Sequence, residues 1–179
     1  MVRTKTGPAR ICALAPPAAF FWVLAGSAGA TPLASGGVTA AEVAAILQAK
    51  GYVAQIGKDE EGDPNIHSGS GAEGSGFDVY FFGCNKGPRC TSIEFSVAYH
   101  VEGGLTLAQI NEWNHKKRFG RAYLDSENDP FIGMDVDVEK GFSTEAIDNN
   151  IDTWDSVVGT FRHFIGCTKK PDTATCKAD

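Results

Sequence analysis

Asn111-Glu-Trp-Asn-His-Lys-Lys-Arg-Phe-Gly-Arg-Ala-Tyr-Leu-Asp125 (NEWNHKKRFGRAYLD) is the stretch in which helical spacing gives way to extended spacing. On its N-terminal side, Leu107, Ile110 and Trp113, with Asn114 beside them, share the inward side of a helix expected from about Thr106 to Arg118. Beyond it, Phe119 to Leu124 reads as a strand, Asp125-Ser-Glu-Asn-Asp-Pro130 as a turn, and Phe131 to Val138 as the partner strand. In that partner Ile132, Met134, Val136 and Val138 alternate with Gly133, Asp135 and Asp137. A helix that feeds straight into a hairpin does not fit strict alternation of helices and parallel strands. It points to an α+β domain with an antiparallel sheet covered on one face.

The flanking sequence agrees. Thr39 and Glu42 have capping-box spacing ahead of a helix whose apolar face is Val43, Ile46 and Leu47, and Gly51 is placed to end it. Tyr52 to Ile56 follows as a short strand. Gly57 to Gly76 reads as a hairpin loop, with a brief extended piece near Asn65–His67. Its glycines lack the strand-before, helix-after context of a phosphate-cradling loop. Phe77 to Phe82 is apolar on both faces, as an interior strand is. Thr91 to Val101 alternates cleanly, Ile93, Phe95, Val97 and Tyr99 against Ser92, Glu94, Ser96 and Ala98. Ser143 caps a long last helix whose stripe is Ile147, Ile151, Trp154, Val158, Phe161 and Ile165. The expected order is α-β-β-β-α-β-β-α in a single domain.

The first thirty residues read as a cleaved secretory signal. Arg3, Lys5 and Arg10 make a basic start, Ala18 to Ala25 a short apolar core, and Ala28-Gly29-Ala30 a small-x-small cleavage pattern. The apolar run is well short of the ~20 residues that span a bilayer. Removing residues 1–30 takes three of the 16 Lys+Arg and none of the 22 Asp+Glu, leaving 13 against 22, a net charge of −9. Such a surface repels nucleic acid and anionic membrane. Residues 31–37 form a flexible lead-in, and 166–179 a C-terminal tail. A periplasmic or secreted location is the expectation, with no membrane insertion after cleavage.

Cys12 leaves with the signal, and Cys84, Cys90, Cys167 and Cys176 remain. In an oxidising compartment the local pairs Cys84–Cys90 and Cys167–Cys176 are favoured over the other two pairings. Zinc is the rival, but five- and eight-residue gaps do not match the usual two to four between paired ligands.

No catalytic set stands out. His67, His100, His115 and His163 lack metal-ligand spacing, and no Ser lies in a G-x-S-x-G elbow. Asp125 to Asp129 lacks the Gly and bidentate Glu of a calcium loop. No cofactor or metal is expected. The basic run His115, Lys116, Lys117, Arg118, continued by Arg121, has two readings. It is a helix end whose carbonyls favour cations, with Arg121 pairing across to Asp135, or it is a docking surface for an acidic partner or anion. No aromatic stacking platform accompanies it, which argues against nucleic acid. Asn111 and Asn114 flank Trp113, and a buried amide there would tie the helix end to the next strand through backbone hydrogen bonds.

The pieces together resemble the YbjN domain family of bacterial proteins, over roughly residues 38–165. The resemblance rests on Phe81-Phe-Gly-Cys84 with Cys90-Thr-Ser-Ile-Glu-Phe95 and on Leu107 through Asn114. Arg118-Phe-Gly-Arg-Ala-Tyr-Leu-Asp125, Asp129-Pro130 and Met134-Asp-Val-Asp137 complete it. It implies a scaffold role for Asn111, Trp113, Asn114, Phe119, Tyr123 and Asp125. It also implies a fold similar to the type III secretion chaperones, which dimerise and bind unfolded client segments. Members are labelled sensory-transduction regulators, and no catalytic residues are assigned to the family. The expectation is therefore an exported, non-catalytic protein-binding, chaperone-like or regulatory module with an unknown protein partner; a homodimer is a further reading. The alternative is a small-ligand-binding protein or hydrolase, with Gly57–Gly76 as a lid over a pocket near Trp113.

Overall fold

In a computed structural model, residues 31–69, 76–85, 87–167 and 176–178 are described. The chain runs α1 (Ala40–Ala49), β1 (Val53–Lys58), β2 (Pro64–Gly69), β3 (Gly76–Phe82), β4 (Ser92–Val101), α2 (Leu107–Lys116), β5 (Arg121–Leu124), β6 (Pro130–Asp137), α3 (Thr144–Phe164) and β7 (Cys176–Ala178). The fold is α+β, as expected: one antiparallel sheet with the spatial order β1-β2-β3-β4-β6-β5, helices on one face, a single domain. β7 pairs with the end of β4, Val101 opposite Cys176.

The elements form for the reasons visible in their residues. Thr39 accepts from the Glu42 backbone N–H at 3.2 Å while Glu42 accepts from the Thr39 N–H at 2.8 Å, closing the capping box of α1. Gly51 follows with φ +90°, a conformation glycine adopts without penalty. Ser143 caps α3 through the Ala146 N–H. Along α3, Ile147, Ile151, Trp154, Val157 and Phe161 are buried. Ile93, Phe95, Val97 and Tyr99 of β4 meet that stripe from the sheet, with Phe95 stacked on Trp154 and Tyr99 beside Phe161. Burying such side chains contributes roughly 1.5–3 kcal/mol each, which makes this helix–sheet contact the main apolar source of stability.

The structure departs from the sequence reading in several places. The extended piece near Asn65–His67 is a full strand, β2, so four strands precede α2. Period-two pairing of Ile66 with Ile56 and Val79 supplies what the polar, Gly-rich composition concealed. Leu107, assigned to the inward face of α2, is 77% exposed, because only Ile110 and Trp113 reach the core. On α3, Val157 rather than Val158 is buried. α2 stops at Lys116, and Phe119 lies in a corner before β5 instead of starting the strand.

Residues 31–38 run as a strap across the strand ends. Leu33 N–H donates to the Phe142 carbonyl, Val38 exchanges both backbone bonds with Cys90, and the Arg89 guanidinium donates to the carbonyls of Ala34 and Gly37 and to Glu42. Cys84 and Cys90 are joined in a disulfide across the β3–β4 turn, the expected local pair. Cys167 is also disulfide-bonded. The Cys176 side chain expected to pair with it, and the signal expected over 1–30, lie outside the described residues.

The chain between α2 and β5 turns at Gly120, where φ is +78°. A Cβ there would come within 2.6 Å of Val157 Cγ1 and 2.9 Å of Ile132 Cδ1. Gly120→Ala should therefore combine left-handed strain with overpacking and cost about 3 kcal/mol. Urea unfolding measures it; a loss below about 0.5 kcal/mol would mean the corner shifts freely.

Candidate functional site

The corner after α2 is built from three side-chain bonds to backbone. Trp113 is 1% exposed, packs edge-on against Phe161 at 4.8 Å, and donates its indole N–H to the Gly120 carbonyl at 2.9 Å. The Asn114 amide brackets Ala122, accepting from its N–H at 2.9 Å and donating to its carbonyl at 3.0 Å. Asn114 thus makes the tie expected of it, while Asn111 is exposed. With both ends held, residues 117–119 bulge into solvent.

Of the five basic residues expected at this surface, the structure separates the occupied from the unoccupied. Lys116 pairs with Glu112 one turn back. Arg121 points over the open sheet face, 3.6 Å from Glu94 and 3.9 Å from Asp135, with its guanidinium 5.6 Å from the Tyr123 ring. Its pairing with Asp135 is the one expected; Glu94 is an addition the sequence did not suggest. His115 is exposed on the last turn of α2. Lys117 and Arg118 have no carboxylate within ion-pair distance among the described residues. Lys117 lies 5.7 Å from the Trp113 ring, and Arg118 lies 5.3 Å over Phe119, itself 52% exposed. Asn114, Lys117, Arg118, Phe119, Arg121 and Asp135 line a groove of about 540 Å³. Lys117 also borders a second depression, of about 430 Å³, against Thr160, His163 and Phe164 at the end of α3.

Next to the groove, the open face of the sheet carries a polar cluster. Gly133 leaves room for the Glu94 carboxylate; a Cβ there would sit 2.1 Å from Glu94 Oε1. Tyr123 stacks on Phe131 at 5.1 Å, on the same face as Ser96 and Gly133, which lie opposite each other in register. Burial raises the Glu94 carboxyl above the ordinary glutamate range, with Asp135 adding to the effect and Arg121 opposing it.

The other titratable pairs are structural in character. His100 Nδ1 lies 2.7 Å from Asp129, whose second oxygen accepts from the Val101 N–H at 2.9 Å. That backbone bond, helped by His100, lowers the Asp129 carboxyl below its ordinary value. His67 meets Asp78 at 3.0 Å. Neither pairing was legible from spacing, because both partners come together only through strand register and the β5–β6 turn. Asp125 organises that turn by accepting from the N–H groups of Glu127 and Asp129. No group of three or more metal-ligating side chains occurs among the described residues. No helix among them is long and apolar enough to cross a membrane.

The described residues of the segment 57–76, which are 57–69 and 76, do not reach Trp113. They form the β1–β2 hairpin and the start of β3 at one side of the sheet, whereas Trp113 packs beside β5 at the other. Those described residues form no lid over Trp113, and residues 70–75 of the expected lid lie outside the described residues.

Residues 39–166, from the cap of α1 to the residue after α3, match the family model YbjN, "Putative bacterial sensory transduction regulator". The chain belongs to the YbjN family. No curated protein and no solved structure matches it. The YbjN match takes in all three helices, the six-stranded sheet, the Cys84–Cys90 pair and the α2–β5 corner, and leaves out the strap before Thr39 and the segment from Cys167 onward.

The open-face cluster gives the YbjN domain a pH signature. With the folded-state carboxyl of Glu94 raised, the folded protein holds that proton more tightly than the unfolded chain, so stability declines as pH rises through and above the glutamate range. Glu94→Gln should raise the melting temperature at pH 7 and leave it unchanged below about pH 3, where glutamate is protonated in both states. A variant melting lower than the native chain at pH 7 would show that attraction to Arg121 outweighs burial.

Proposed function

We propose that this YbjN protein is an exported, non-catalytic binding module, chaperone-like or regulatory, that docks an acidic segment of a partner protein at the α2–β5 corner. The observation that carries this reading is the pair of uncompensated cations, Lys117 and Arg118, set beside exposed Phe119 along the groove. In a chain whose acidic residues outnumber its basic ones, 22 against 16, these two adjacent cations form a local basic patch. An apolar ring beside two cations suits an extended segment carrying acids next to a hydrophobic side chain. The regulator label of the family agrees with a binding role and supplies no chemistry.

Export is supported by the basic, apolar and small-residue succession of residues 1–30 and by the cysteine pairing, since disulfides persist in oxidising compartments.

Cross-linking in intact cells, followed by affinity purification, tests the reading. The native chain should recover a specific partner, and Lys117→Glu with Arg118→Glu should reduce recovery about tenfold or more, as truncated interfacial charges do, while the melting temperature stays within a few degrees. Equal recovery from the double variant, or a reproducible blank from the native chain, overturns it.

A further inference from the structure

The far edge of the sheet is chemically different. β1 is the terminal strand, and its outer side has no partner among the described residues. Asp59 N–H donates to the Asp63 carbonyl at 3.0 Å directly across the β1–β2 hairpin, which makes 59↔63 a hydrogen-bonded pair. Antiparallel pairs alternate, so Gln55 and Gly57 also turn their backbone groups toward β2. The backbone N–H and C=O groups of Ala54, Ile56 and Lys58 therefore point to the open edge. Val53 and Ile56 on this strand are 50% and 53% exposed.

Edges are ordinarily blunted by proline, bulges, charge or short length. β5, at the other side, has four residues and carries Arg121. β1 has six residues in unbroken register, no proline, and one charge, at its last position. On α1, packed over β1, the exposed positions are Ala41, Ala45, Gln48 and Ala49, and its one charge, Glu42, is paired with Arg89.

We propose that β1 is the interface through which two copies of this chain pair, antiparallel, with the two-fold axis at Gln55. In that register Ala54 of each copy bonds Ile56 of the other through the free edge groups. Val53 packs over Gly57, and Lys58 lies opposite Tyr52. The Tyr52 hydroxyl is bonded to Asp155, and neither Asp155 nor Lys58 has an ion-pair partner of its own among the described residues. Tyr52, Lys58 and Asp155 lie on the helix side of the sheet, so two symmetric Lys58–Asp155 pairs form across the axis. Registers centred on Ala54, Ile56 or Gly57 also oppose free edge groups, but they set Lys58 against Lys50, Ala54 or Ile56, none of them beside an acid without an ion-pair partner. Charge complementarity thus selects both the occupant and the register. The interface is independent of the basic groove, which lies at the opposite edge of the sheet.

Sedimentation of the full chain with its disulfides intact, over a range of concentrations, tests the pairing. Dimers should form, Lys58→Glu should weaken them about tenfold, and adding Asp155→Lys should restore them. Under mild oxidation Gln55→Cys should link two copies covalently, because a non-hydrogen-bonded pair brings its Cα atoms to about 4.5 Å. Ile56→Cys should not, since its two copies would be roughly 8 Å apart in this register. A chain that is monomeric throughout leaves the edge to an extended segment of another protein and overturns the proposal. So does a cross-link through Ile56→Cys in place of Gln55→Cys, or a Lys58→Glu variant that dimerises as the native chain does.

Discussion

The two hydrogen bonds between the Asn114 amide and the backbone of Ala122 hold the molecule's helix-to-strand transition in place. Asparagine weakens a helix interior because its side chain competes for backbone groups. Here that tendency is directed across a corner, to the first inward-facing residue of β5. Each such bond contributes about 0.5–1.5 kcal/mol net, and more is lost when its buried partner is left unmade. The Trp113 indole holds Gly120 in the same way, so the corner is fixed at two backbone points two residues apart. Everything displayed there, including the orientation of Lys117, Arg118 and Phe119, follows from those attachments.

The electrostatics of the corner depend on subtraction. Lys116 is paired along its own helix and Arg121 across the sheet, so five clustered basic residues reduce to two uncompensated cations and a histidine. At physiological ionic strength charge is screened over roughly 8–10 Å. The acidic remainder of the surface therefore does not cancel a local patch at contact distance, although it discourages long polyanions from approaching. This geometry suits a short acidic segment better than a nucleic-acid strand, and the burial of Trp113 removes the tryptophan of α2 as a stacking platform for a base.

Much of the fold was legible because several signals agreed on each element. Thr39 and Glu42, Ser143, the alternation through Ile93–Tyr99 and the stripe of α3 each combine a cap or turn with a period. β2 was hidden because Asn65, His67 and Ser68 carry no apolar alternation; only Ile66 marks the core side, and strand pairing on both sides stabilises what propensity does not. Leu107 misled because helical spacing places it beside Ile110, whereas the first turn of α2 projects past the sheet. At the candidate site the basic run and the Asn114 tie could be read locally. Glu94 as a partner for Arg121, and Asp129 for His100, could not, because those contacts depend on the register of β4 against β6 and on how Gly133 opens space for a neighbouring carboxylate.

The same contacts bear on which surface is available to a partner. The open sheet face looks inviting, with Tyr123 and Phe131 stacked at its centre, but its polar groups are already matched. Glu94 and Asp135 both face Arg121, whose guanidinium also lies over the Tyr123 ring. A ligand settling there would have to break pairs that are partly desolvated, and would leave Glu94 with a buried charge and no cation. The corner carries no such cost, because Lys117 and Arg118 are exposed and have no ion-paired acid among the described residues to give up. β1 likewise exposes backbone groups with no partner among the described residues, so a strand added there displaces none of them. Docking at the sheet's two ends, with a self-contained face between them, is the arrangement that breaks the fewest existing interactions.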